Sequence, residues 1–283
     1  MNLPDIDALI ASSRPKRRLL GSSSLILLGL SMVLGALWTE PGFIGNHPLG
    51  WLVPQGVLIA MIVLVARGAA RQRRLARVLA AALEAVQLRQ WPQACEGLTE
   101  FLRHRIPFLT ARAEALLALA ATEEAVHHHE NSQRIYEALL QENNADLVQL
   151  HITRVCLAAT LLRTGRTTDA VRLIERLERV ELPDPLRAQV ELLSLFREVN
   201  MGQAQAGIER ADQRRELFRQ YMGTRAAYGY GLLAAAFDRV NRPDQARAFW
   251  QDATLLLKPA MLLERFDELK GVAEKYPAAE YAL

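Results

Sequence analysis

Two long uncharged stretches near the start of the 283-residue chain constrain how the rest of it can be placed. No residue from 19 to 39 is charged, and none from 41 to 66. A helix crosses a hydrocarbon core of ~30 Å with ~20 apolar residues. The first run supplies such a span over residues 19–38. Its ten Leu, Ile and Val residues favour insertion by roughly 0.3 to 0.6 kcal/mol apiece near the centre and outweigh Ser22, Ser23 and Ser24. The second supplies residues 49–66, with Pro54 near its outer end, where a missing backbone hydrogen bond is easiest to satisfy. Trp38 and Trp51 then mark one interface.

Arginine and lysine set the orientation. Arg14, Lys16, Arg17 and Arg18 precede the first span, and Arg67, Arg71, Arg73, Arg74 and Arg77 follow the second, whereas the connection at 39–48 has Glu40 and His47 but no Lys or Arg. Cations stay on the inner side of a membrane, which predicts a two-pass protein with both termini and the large C-terminal part cytoplasmic. A cleaved signal peptide is disfavoured: the apolar run is longer than the usual ~7 to 15 residues, no A-x-A-like site follows it, and a second span comes directly after. The predicted organisation is a basic tail at 1–18, transmembrane helices at 19–38 and 49–66 joined by an external loop at 39–48, a basic juxtamembrane segment at 67–77, and a helical-repeat domain at 78–283.

The formal net charge of +3 arises entirely at the membrane end. Residues 78–283 hold 25 basic and 28 acidic side chains. Arg67, Arg71 and Arg74 fall on one helical face, and a cation beside an anionic leaflet gains ~1 kcal/mol, so these three are the predicted membrane-surface contacts. Nucleic-acid binding is excluded by the slight acidity of the large part and by the lack of a basic stripe interleaved with aromatics. Cys95 and Cys156 form no C-x-x-C pair and are read as small buried hydrophobes in a reducing compartment, with no disulfide or metal.

From residue 75 onward apolar residues recur at helical spacing, punctuated by turn signals at Gln90-Trp91-Pro92, Thr164-Gly165-Arg166, Met201-Gly202 and Asn241-Arg242-Pro243. Three segments align without gaps on Ala94, Ala170 and Ala246. Four residues after each alanine comes Leu98, Ile174 or Trp250, and nine later Pro107, Pro183 or Pro259. The alanines lie 76 residues apart, and a half-step of 38 reaches Ser132 with Tyr136, then Ile208, a degenerate unit. The reading is all-α: five helix pairs on a period near 38, closed by a capping helix over 262–275. A small residue belongs where two helices cross closely, with a bulky one a turn later filling the groove beside it.

At this point the sequence resembles the tetratricopeptide repeat. That family's small residue, aromatic four on and closing proline fall on Ala246, Trp250 and Pro259, and its first-helix positions on Tyr230, Leu233, Ala234 and Phe237. Another unit matches through Leu157, Ala158, Leu161 and Ile174. The period near 38 exceeds the family's ~34, and the family's first-helix tryptophan is absent. The resemblance implies a solenoid whose concave face binds a protein or peptide. It puts Val155, Ala159, Leu162 and Arg163, then Tyr228, Ala235, Asp238 and Arg239, on that face, and Arg163, Tyr228 and Arg239 are the predicted partner contacts, Arg and Tyr being frequent hot spots.

Catalytic motifs do not survive inspection. Gly229-Tyr230-Gly231-Leu232-Leu233-Ala234 has the G-x-G-x-x-A spacing but no preceding strand, and is read as small residues at a helix crossing. His127, His128, His129 and Glu130 are consecutive, so their side chains diverge; they read as a solvated turn or helix start. Ser13-Arg14-Pro15-Lys16 lacks the companions of an S-x-x-K site. The expectation is a membrane-anchored interaction scaffold, not an enzyme, with no cofactor or metal. The alternative is an accessory subunit of a membrane enzyme or transporter, contacting it through Ser31 and Gly35, a small-xxx-small pair.

Overall fold

The computed structural model describes residues 6–14, 52–104, 106, 108–142 and 147–278. The chain divides into two compact units, residues 1–138 and 139–283. All regular structure among the described residues is helical.

The first unit opens with α1 (Ile6–Ser13), followed by α2 (Leu52–Gln87), α3 (Trp91–Arg103) and α4 (Leu109–Ala125), with α5 (His129–Gln141) carrying the boundary. The predicted first span and the external loop lie outside the described residues, as do residues 49–51 of the second. The remainder of that second stretch, 52–66, is the start of α2, with Pro54 in the first turn, where its missing N–H has no helical partner to lose. At 1.5 Å per residue it measures about 22 Å, and among the described residues no helix is long and apolar enough to cross a membrane. The predicted basic segment 67–77 is helical. It is the middle of one 36-residue helix, about 54 Å long, whose last turns bury Leu79, Ala82 and Ala85. There α2 packs on α3 so closely that a Cβ on Gly97 would come 2.9 Å from the Ala82 methyl carbon.

The second unit holds α6 (Leu147–Arg163), α7 (Thr167–Glu178), α8 (Asp184–Asn200), α9 (Ala204–Glu209), α10 (Ala211–Tyr221), α11 (Ala226–Arg239), α12 (Pro243–Leu256), α13 (Pro259–Arg265) and α14 (Lys270–Lys275), with single 3-10 turns at Gly223–Arg225 and Asp267–Leu269.

The repeat is written most plainly in the backbone. Five turns each contain one residue in the left-handed region: Arg89, His127, Gly165, Gly202 and Asn241, with φ between 57° and 74°. In each, the next N–H reaches back five residues to a helix carbonyl: Gln90 to Ala85, His128 to Glu123, Arg166 to Leu161, Gln203 to Glu198 and Arg242 to Phe237, at 2.7 to 3.0 Å. This 6→1 bond closes the helix C-terminus in a Schellman motif. Arg89 and His127 adopt the conformation against a steric cost of roughly 1–2 kcal/mol that glycine avoids. Five residues after each turn stands a buried small residue: Ala94, Ser132, Ala170, Gly207 and Ala246. The bulky partner four positions on is Leu98, Tyr136, Ile174 or Trp250, each at most 1% exposed.

The fourth pair corrects the sequence register. Its turn arrives 37 residues after the previous one instead of 38, so the crossing residue is Gly207, not Ile208. A Cβ there would lie 3.3 Å from Leu195 and 3.5 Å from the Ala236 methyl. The position four on is Ala211, and the second helix of the pair is broken at Arg210, between α9 and α10. The expected capping helix over 262–275 is likewise three short pieces, α13, a 3-10 turn and α14. The G-x-G string is a close crossing, as read: a Cβ on Gly229 would fall 2.3 Å from the Phe218 ring, and one on Gly231 3.0 Å from Leu269.

Candidate functional site

Among the described side chains of α2, the aliphatic ones between Ile59 and Val65 are exposed on every side of the helix. Ile59, Ile62, Leu64 and Val65 are 58–71% exposed and Val63 is 40% exposed. An amphipathic helix of a folded domain would hide one such stripe; among these five side chains none is hidden. Directly after it come Arg67, Arg71, Arg73, Arg74 and Arg77, all exposed, and the helix has no acidic residue before Glu84. Hydrophobic rod, arginine collar and first repeat are therefore consecutive stretches of one helix.

The predicted basic tail contains a structured element. In α1, Ile6, Leu9, Ile10 and Ser13 are buried and the helix packs on α3. Arg112 of α4, 1% exposed, donates from Nε to the Ser13 hydroxyl at 3.0 Å and from Nη2 to the Ile10 carbonyl at 3.1 Å. A guanidinium at a helix C-terminus satisfies carbonyls that have no partner inside the helix and meets the negative end of its dipole. Asp7 faces Arg134 of α5 at 3.9 Å, a solvated pair of little energetic weight. The signal for α1 was present as apolar residues at i, i+3, i+4 in Ile6, Leu9 and Ile10, but eight residues are too few to stand out beside a cationic cluster.

Of the predicted groove residues, Arg163 and Tyr228 come together and Arg239 does not join them. Burial first, then the like charge of Arg265, lowers the Arg163 guanidinium to about 9, with Tyr228 acting in the opposite sense; it remains charged at neutral pH. Tyr228 packs edge-on against Phe266 at 5.8 Å between ring centroids, and the Arg265 guanidinium lies 6.0 Å from the Tyr228 ring. Phe266 also meets Phe196 of α8 at 4.9 Å. Arg239 donates to the Val199 carbonyl near the end of α8. Asp238, another position assigned to the concave face, accepts from Lys275 Nζ at 2.7 Å and the Tyr276 hydroxyl at 2.8 Å. Burial would raise its pKa, but these two hydrogen bonds and the Lys275 charge hold it below the usual carboxylate range. Along the fifth helix pair, then, Tyr228 and Asp238 are engaged by the chain's own C-terminal segment. Val155 and Leu162, at 5% and 2% exposure, belong to the core.

Sequence reasoning missed two buried polar centres. Arg214 of α10, 1% exposed, donates to Glu198 at 2.7 and 3.1 Å, to Glu191 at 3.1 Å and to the Gly207 carbonyl at 2.8 Å. Burial works against its charge, and Glu198 and Glu191 overcome that and raise its pKa. The network ties α8 to both pieces of the broken second helix. The other centre is Glu123, 1% exposed, which accepts from Asn131 at 2.8 Å, lies 3.1 Å from His128 Nδ1 and takes a long contact of 3.6 Å from Cys95 Sγ. Burial, followed by the Glu123 charge, pushes the Cys95 thiol up to about 11. Neither centre had a linear motif to announce it. Among the described residues no group of three or more His, Cys, Asp and Glu side chains is arranged to hold a metal ion. Ser31 and Gly35 lie outside the described residues.

No protein-family model, curated protein or solved structure matches the chain. What it is made of, a helical repeat continuous with an arginine-collared apolar helix, is carried by its own geometry.

Proposed function

We propose that the protein is a membrane-anchored interaction scaffold, a tetratricopeptide-like repeat tethered by an N-terminal hairpin and offered to a protein partner at the cytoplasmic face. The observation that carries this reading is α2: exposed aliphatic side chains on every side of the helix between Ile59 and Val65 favour an apolar environment on every side, and the arginines that follow have the placement of a stop at the inner leaflet. The contact of α1 with α3 and Arg112 adds a topological argument. Residues before the first apolar run touch residues after the second, which supports placing both on one side of the membrane.

The described helices stack small residues against bulky ones, a construction that builds an extended surface for a partner. Flotation of carbonate-washed membranes tests the anchor, and proteolysis of intact cells tests the side. Full-length protein is expected to float, and residues beyond Arg67 to resist external protease. Recovery of the chain in the soluble fraction, or digestion of the repeats from outside, would refute the reading.

A further inference from the structure

We infer that Arg67, Arg71 and Arg74 line a recess between the bilayer and the first repeat, and that its occupant is an acidic polypeptide segment of a partner. The inference rests on the membrane reading above and sharpens which partner it implies. On a helix turning about 100° per residue, with Arg67 as zero, Arg71 lies at about 40° and Arg74 at about −20°. The buried docking residues Leu79, Ala82 and Ala85 fall at about 120°, 60° and 0° on the same wheel. The three arginines thus share the side of α2 on which α3 packs, whereas Arg73 and Arg77, at about 240° and 280°, face away. Gly97 lies beside Ala82 and α3 runs back along α2 as far as Arg103, so this side is covered down to about residue 76, about 13 Å of rise from Arg67. That height, under the first repeat and above the membrane, is bounded on one side by the arginine face.

The height selects the occupant. A head-group layer is about 5–7 Å thick per leaflet, the difference between ~30 Å of hydrocarbon and ~40–45 Å overall. Lipid phosphates therefore reach Arg67 and Arg71, but Arg74 stands about 10 Å further along the helix than Arg67. Among the described residues none of the five collar arginines forms an ion pair, and the helix offers no carboxylate before Glu84. Planar guanidiniums pair bidentately with carboxylates, and a row rising out of the head groups fits a chain of Asp or Glu side chains that crosses the recess.

The test uses the full-length protein in nanodiscs of zwitterionic phosphatidylcholine, with fluorescein-labelled decaglutamate as the probe and anisotropy as the readout. Wild type should bind. The Arg67→Gln/Arg71→Gln/Arg74→Gln variant should lose at least tenfold in affinity and the Arg73→Gln/Arg77→Gln variant less than threefold, with unchanged circular dichroism in both. Equal losses would mean undirected charge attraction and overturn the proposal. So would absence of peptide binding in a disc-embedded protein, including the case in which discs containing labelled phosphatidylglycerol show that the three arginines gather that lipid instead. A chain that fails to enter discs at all sinks the membrane reading, and this inference with it.

Discussion

Replacing Gly229 by alanine tests the helix crossing at the centre of the second unit. The new methyl carbon would lie 2.3 and 2.4 Å from two carbons of the Phe218 ring, against 3.4–4 Å for an ordinary contact. The ring must retreat by about 1 Å, and Phe218, fully buried, has nowhere to go without moving α10 or α11. Overpacking of this kind costs roughly 1–3 kcal/mol. A clash this short belongs in the upper half of that range, and alanine recovers roughly 0.5–1 kcal/mol over glycine inside a helix, which leaves a net loss of about 1–2 kcal/mol. For a unit of this size, 1 kcal/mol shifts the midpoint by ~2–4 °C, so circular-dichroism melts should fall by about 2–8 °C. Gly271→Ala, where a Cβ meets nothing within 4 Å, should not fall. Pairing Gly229→Ala with Phe218→Leu makes room for the methyl, and the double variant should be more stable than the sum of the singles by about 1 kcal/mol. A Gly229→Ala protein that melts at or above wild type, or a strictly additive pair, would show that α10 and α11 do not cross there.

Ala170→Leu, at a fully buried crossing, should cost about 1–3 kcal/mol, whereas Arg166→Ala, which breaks an exposed pair with Asp169, should stay within ~0.5 kcal/mol; equal melting points would dissolve the repeat register. A fragment of residues 78–283 lacks α1, so it should melt below the full chain and gain stability, saturably, from a synthetic peptide of residues 1–14 added in trans; indifference to the peptide would mean that α1 does not dock through Arg112. Cys95, raised to about 11, should react slowly with iodoacetamide at pH 8. Because the folded thiol holds its proton above the ordinary value of 9.0, its contribution to stability is present below pH 9 and declines as pH rises from 9 toward 11; fast alkylation of the folded protein at pH 8 contradicts this. Asp238 is shifted the other way, so the attachment of the C-terminal segment should weaken as pH falls through its depressed range, and Asp238→Asn should abolish that dependence in hydrogen exchange of residues 270–276.

The helical repeat was legible because it is a periodic constraint on residue size. A crossing that admits only a small side chain recurs at Ala94, Ala170 and Ala246, and turns that need positive φ favour Gly165, Gly202 and Asn241. The apolar runs and arginine counts were read from composition alone, and the spans they predict lie largely outside the described residues. Where the signal was short or non-periodic the sequence was silent. The one-residue shortening before Gly207 moved a crossing off the counted position; Ile208, too large for a crossing, marked the unit as degenerate but did not show that its neighbour fills the site. The docking of α1, the buried pairing of Arg214 with Glu191 and Glu198, and the engagement of Tyr228 and Asp238 by residues 265–276 join positions up to about a hundred residues apart. Such contacts depend on which helix faces meet, and a charged residue in the sequence reads as solvated until tertiary packing encloses it. Composition and period thus determined the kind of element and its repeat, while three-dimensional packing alone decided which polar side chains were enclosed in the fold and which, on the collar of α2, stayed exposed.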